Sequence, residues 1–415
     1  MRARPSLLLA LSILELPAFA LAQHARDSPD ARIQYYRQRL GGRSTYPTYA
    51  RLGLAYAEKA RLTGRTEYQL DAARYLAQSL AMQRNYEALL GLAGVSLALH
   101  RFPEALGHAR EATETSPSDP AALGGLFDAQ RGLGNDAEAE QTLARMPPPS
   151  FAYLVRLATV REGRGETAAA LRDVERACAL PEMAAGPVVA RAWCEVRMGA
   201  LRLASCEPDK ARAHYERASS LVPGYFLARE HLAELEAAEG RTRHAMQRYR
   251  DLLAAVPEPR YRLQLAALHD MAGQSRDADA ERRQARVELR HRAADDVRDA
   301  WHELAELDAE GAGTAAEGLR WAEKDWQNRR DVHAADALAW ASFQHGDAGK
   351  AEAVIGRALA PAGASPTILL HAAMIRLRTG HADAARDLFA RTLACPAALT
   401  PREQRLAAHL RTQLP

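Results

Sequence analysis

His302, Glu303 and Glu306 open the pattern His-Glu-x-x-Glu, the nearest approach in this chain to a metal-hydrolase signature. A zinc peptidase of that type needs a second histidine where Glu306 stands. The stretch is therefore expected to be a solvated helix face. The fourteen histidines are scattered without metal-ligand spacing, and none of the four cysteines forms a C-x-x-C pair. Neither G-x-x-x-x-G-K-[ST] nor G-x-S-x-G is present, and Gly124-Gly125 and Gly132 to Gly134 lie inside a helical pattern, not after a strand. No catalytic residue, metal or cofactor is expected, so the chain is read as a non-enzyme.

The elements that could position anything are helices. Hydrophobic residues make up 47% of the chain but aromatic ones only 6%. Alanine and leucine carry the apolar fraction, which favours helix, and no run alternates Val, Ile or Thr as a strand does. At 415 residues the chain is long for one compact core and natural for a stacked array. The clearest unit runs from Phe226 to Pro259. Leu232, Ala233 and Leu235 stripe one helix, which Gly240 closes. Ala245, Met246, Tyr249, Leu252 and Leu253 stripe a second, which Pro257 ends.

This unit resembles the tetratricopeptide repeat, a helix–turn–helix of about 34 residues with the signature W-x2-L-G-x2-Y…A-x3-F…P. Leu232-Ala233 stands for the L-G pair, Ala245 for the alanine, Tyr249 for the aromatic and Pro257 for the proline, while Arg229 and Glu236 depart from the W and Y slots. Apolar-small pairs recur at Leu52-Gly53, Leu92-Ala93, Leu126-Phe127, Leu157-Ala158, Met198-Gly199, Leu232-Ala233, Leu265-Ala266, Leu304-Ala305, Leu338-Ala339 and Ala372-Ala373. Their spacings of 40, 34, 31, 41, 34, 33, 39, 34 and 34 hold a period near 34. The resemblance implies an all-α, right-handed superhelical solenoid of stacked helix–turn–helix units. Residues 46–399 form the array, about nine or ten units, with an irregular region near 277–331. Residues 23–45 form a lead-in segment, with a short helix from Arg32 to Leu40, and 400–415 a capping helix over the last apolar face.

Residues 1–22 read as a signal peptide: Arg2 and Arg4, an apolar run from Ser6 to Leu14, and the small-x-small site Ala20-Leu21-Ala22. The run is too short to span a bilayer, and no later stretch approaches that length. The mature chain is expected to be exported, periplasmic in a cell with two membranes, with no stable membrane insertion after cleavage. Export permits disulfides. In a stacked array Cys178 and Cys194 lie at neighbouring helix ends, so they are the expected pair. Cys194 and Cys206 are about 18 Å apart on one helix, too far to bond.

Such arrays bind a peptide or protein on the concave face of the first helices, and helical phasing nominates Trp193, Val196, Trp340, Phe343, Leu370 and Met374 as apolar anchors. Asn85, Asn135 and Asn328 miss the groove-facing positions, which removes a carboxylate clamp. Arg282 to Arg292 reads as a solvated outer face. The formal charge of +3 gives no footprint for nucleic acid. The sequence thus points to a non-catalytic interaction scaffold in the cell envelope. The alternative is a regulatory or substrate-presenting subunit of an envelope enzyme system, such as polysaccharide export or peptidoglycan processing. A pure scaffold predicts no buried cluster of His, Asp and Glu, whereas a sugar-handling protein predicts rows of Tyr and Trp.

Overall fold

A computed structural model describes residues 28–42, 44–360 and 363–414. The signal-peptide reading of residues 1–22 lies outside the described residues. The described residues divide into two compact units, 28–157 with 176–191, and 158–175 with 192–414. All regular elements among them are helices.

The first unit begins with α1 (Pro29–Leu40), whose first turn is closed by Ser28 accepting from Ala31 N–H at 3.2 Å. Three helix pairs follow: α2 (Tyr46–Thr63) with α3 (Thr66–Met82), α4 (Tyr86–Ala98) with α5 (Phe102–Thr115), and α6 (Pro120–Gly132) with α7 (Asp136–Ala144). Where the small residue of a pair is glycine, it marks a close approach between the two helices. A methyl on Gly53 would stand 2.6 Å from the Leu76 side chain, so only a missing Cβ lets α2 and α3 meet there. Next in the chain come α8 (Phe151–Gly163), α9 (Thr167–Cys178) and the short α10 (Pro181–Ala185), of which residues 158–175 belong to the second unit.

The second unit continues with α11 (Val188–Ala204) and α12 (Pro208–Leu221), then α13 (Phe226–Ala238) with α14 (Thr242–Ala255), and α15 (Pro259–Met271) with α16 (Ser275–Ala294). After these come α17 (Asp299–Leu307) with α18 (Ala315–Asn328), α19 (Val332–Gln344) with α20 (Ala348–Leu359), and α21 (Pro366–Arg378) with α22 (Ala382–Leu393). The irregular region holds α16, α17 and α18: α16 is drawn out to twenty residues, and a π-turn, Asp308–Ala312, extends α17. The aspartate at its start, Asp308, is fully buried and accepts from Arg286 Nε at 2.5 Å.

One turn is used again and again between first and second helices. The residue after the turn donates its N–H to the carbonyl five residues back in Arg101→Ser96, Asn135→Gln130, Glu166→Arg161, Glu207→Arg202, Arg241→Glu236, Gln274→His269, Asp347→Ser342 and His381→Arg376, at 2.8 to 2.9 Å. That bond forces the preceding residue into the left-handed region. Glycine fills the position at 134, 165, 240, 273, 346 and 380, but His100 (φ 56°) and Cys206 (φ 58°) hold it without glycine's freedom.

The final helix, α23 (Pro401–Gln413), follows the last pair. Its Leu406, Ala407 and Leu410 do join the core formed by α19 to α22. Yet α23 also lies against α13, α15 and α21, which are first helices. A disulfide between Cys206 and Cys395, 189 residues apart in sequence, fixes the segment that leads into it. The chain's own C-terminal segment therefore covers part of the face on which a peptide was expected to dock.

Candidate functional site

The residues nominated as anchors are mostly consumed by packing. Trp193, Val196, Trp340, Leu370 and Met374 are all buried, Leu370 completely, and only Phe343 is half-exposed. Trp340 is 1% exposed and stacks on His371 with ring centroids 4.1 Å apart and planes 8° apart, with Phe343 on its other side at 5.4 Å. It is a wall of the core, not a free anchor. The period placed these side chains correctly on first helices; burial by the neighbouring repeats and the last helix is what phasing omits.

Arg282 to Arg292 is likewise no free basic face. Arg282 pairs with Asp270 and Asp279, Arg286 with Asp308 and Glu317, and Arg290 with Glu317. Arg292 grips both oxygens of buried Glu258 at 2.6 and 2.7 Å. Behind that fork, burial and then the nearby Asp299 push the Glu303 carboxyl up to about 8.

The site that sequence reasoning missed lies one turn further on. Glu306 on α17, Asp336 on α19 and His371 on α21 come from three successive first helices. All three are buried, and each offers a ligand-type atom within 4.8 Å of the others. The His-Glu-x-x-Glu stretch is therefore not a solvated face: its Glu306 is 8% exposed. His302 Nε2 stands 3.6 Å from Glu306 Oε1, and its Nδ1 3.5 Å from Asp325. Burial opposes ionisation of Glu306, but the Arg402 guanidinium beside it, with His302 and His371, holds its carboxyl down at about 2. Arg402 binds both Glu306 and Glu310, so α23 is latched onto α17 and its π-turn through charge.

His371 Nδ1 lies 3.0 Å from Asp336 Oδ2, while its Nε2 and the second oxygen of Asp336, Oδ1, are buried without a hydrogen-bond partner. Nearby, Arg329 Nε donates to both oxygens of buried Asp325, at 3.0 and 3.1 Å. The signal for Asp336 and His371 was a lone ionisable side chain inside an apolar helix run, as in Ala334-Ala335-Asp336-Ala337-Leu338 and Leu369-Leu370-His371-Ala372-Ala373. No short-range spacing rule connects them, because their separations of 30 and 35 residues follow from the repeat and not from one helix.

The first unit carries a different surface. Tyr75 stacks between Tyr56 at 5.5 Å and Tyr49 at 6.4 Å, and Tyr68 lies 6.2 Å from Tyr56. Arg37, Lys59 and Arg74 each lie over one of these rings, at 4.3 to 5.6 Å from the centroid.

A tetratricopeptide-repeat family profile matches residues 96–151, which span the turn at His100, α5, α6 and α7. No curated protein gives a significant match. Among solved structures, the human IFIT1 dimer with m7Gppp-AAAA is 15% identical over 80% of this chain and 76% of that one, with a TM-score of 0.50. Yeast Tom70 is 12% identical over 87% of this chain and 95% of that one, with a TM-score of 0.36. A tetratricopeptide repeat protein from Parabacteroides merdae is 17% identical over 62% of this chain and 98% of that one, with a TM-score of 0.34. The fold is the stacked helix–turn–helix array of tetratricopeptide repeat proteins.

Proposed function

We propose that the chain is an exported scaffold of the cell envelope that holds a protein or peptide partner on its first unit, residues 28–157. The observation that carries this is the contrast between the two units. In the second, first helices α13, α15 and α21 are covered by the chain's own α23. In the first, half-exposed Tyr49, Tyr68 and Tyr75 stand beside Arg37, Lys59 and Arg74. Half-exposed aromatic rings suit an amphipathic peptide, and Lys59 and Arg74 beside them are paired with Asp30 and Asp71. Disulfide-bonding of all four cysteines supports export, and no helix among the described residues is long and apolar enough to cross a membrane. The RNA named with the IFIT1 structure is not carried over, because +3 over 415 residues and ion-paired arginines are a poor match to phosphate.

The test is in-cell photo-crosslinking from Tyr49 and Tyr75 in the native host, with Met271 on the second unit as the comparison position. One dominant adduct from Tyr49 and Tyr75, lost in Arg37→Ala/Tyr68→Ala, is expected. Equal adducts from both units, or none from Tyr49 and Tyr75, would overturn the assignment. The tyrosine row also favours a second reading, presentation of an envelope polysaccharide. Saturable binding of peptidoglycan fragments to purified protein, abolished in the same double variant, would select it.

A further inference from the structure

We propose that Glu306, Asp336 and His371 bind one divalent transition-metal ion, Zn2+ by their donor set, as a rivet through three successive first helices. The group has the composition of a metal site, not of an ordinary core ion pair. It joins one imidazole to two carboxylates, all buried, with their donor atoms within 4.8 Å of one another. Two donors on a common zinc, each about 2.1 Å from it, stand at most about 4 Å apart. Closure of less than an ångström therefore completes the site.

One atom points to a ligand independently of the acidic cluster. Asp336 Oδ1 is buried and unpartnered, on a residue 3% exposed. Its Oδ2 stands 3.0 Å from Nδ1 of fully buried His371, a separation that suits two donors on one ion, so His371 would bind through Nδ1. An orphaned carboxylate oxygen costs desolvation that a cation removes. The surrounding charge has the right sign. Glu306, Glu310, Asp325, Asp331 and Asp336 are opposed by the guanidiniums of Arg329, Arg402 and Arg405. Five carboxylates against three guanidiniums leave a negative surround, in which His302 stands 3.6 Å from Glu306 and 3.5 Å from Asp325.

The donor types select the ion. An all-oxygen shell would favour calcium or magnesium, and thiolates would favour copper(I); imidazole with carboxylates suits zinc and its first-row neighbours. Burial of every donor makes the role structural, with no open face for a substrate. The proposal concerns the second unit and stands apart from partner binding on the first.

The experiment uses the full mature protein, tag removed and stripped with EDTA. ZnCl2 is titrated by calorimetry and CoCl2 by visible absorption and tryptophan fluorescence. One equivalent of each is expected to bind, with cobalt d–d bands, quenching of tryptophan fluorescence next to His371, and a higher Tm. His371→Gln and Asp336→Asn should each weaken binding by at least about 100-fold, since loss of an outer-shell partner alone costs 10- to 100-fold. His345→Gln, on the exposed end of α19, should bind as wild type. Wild type that takes up neither ion, or His371→Gln that binds like wild type, would overturn the proposal. If a variant fails to fold, the wild-type cobalt titration still decides the matter: no saturable bands at one equivalent means no site.

Discussion

Replacing Cys206 separates two effects that meet at one residue. Its bond to Cys395 closes a loop of 189 residues, and its backbone holds a left-handed turn that the equivalent positions at 134, 165, 240, 273, 346 and 380 give to glycine. On the chain-entropy model a loop of that length restricts the unfolded chain by about 18 cal/mol/K, or about 5 kcal/mol at 25 °C. Engineered and native bridges commonly deliver about 2–4 kcal/mol, so Cys206→Ser should cost between those values. Cys206→Gly loses the same bridge but relieves the left-handed strain, worth about 1–2 kcal/mol for a residue with a Cβ. Part of that gain is offset by glycine's freedom in the unfolded chain. The glycine variant should therefore be the more stable of the two by about 1 kcal/mol, and fully reduced wild type, which also loses the bonding of Cys178 and Cys194, should be no more stable than the serine variant. Urea unfolding followed by circular dichroism, with and without reductant, measures all three. Identical midpoints for oxidised and reduced wild type would refute the cross-link argument. A glycine variant no better than serine would refute the strain argument.

Arg402→Met should cost about 3–5 kcal/mol, because it leaves Glu306 and Glu310 buried and uncompensated; adding Glu306→Gln and Glu310→Gln should recover much of it in the same assay. Glu303 sets a pH dependence. Its carboxyl keeps its proton in the folded chain up to about 8 but loses it near 4.5 when unfolded, so stability falls as pH rises through that window, by at most about 5 kcal/mol, and is level above it. Glu303→Gln should flatten that slope in thermal unfolding between pH 5 and 9. Gly199→Ala would bring a methyl to 2.5 Å from the Tyr215 ring and should destabilise by about 1–3 kcal/mol, whereas Gly107→Ala, with nothing within 4 Å, should stabilise the exposed helix by about 0.5–1 kcal/mol; differential scanning calorimetry distinguishes the two.

Whatever a few neighbouring residues decide was legible in the sequence. The glycines of the apolar-small pairs sit where first and second helices approach closely, as Gly53 against Leu76 and Gly199 against Tyr215 show. The turn glycines end first helices, and Pro259, Pro366 and Pro401 begin helices as their fixed φ requires. These features are local, and a repeat turns local rules into an array because each unit buries its stripe only against the next. Tertiary structure alone decided the rest. That α23 returns to α13 and α15 depends on Arg402 finding Glu306 and Glu310 across more than ninety residues of chain. The Cys206–Cys395 bond and the meeting of Glu306, Asp336 and His371 depend on how repeats stack, which no window of one helix contains. Trp340 shows the same division: the period put it on an inner face, and the ring of His371 packed against it determined that this face is closed.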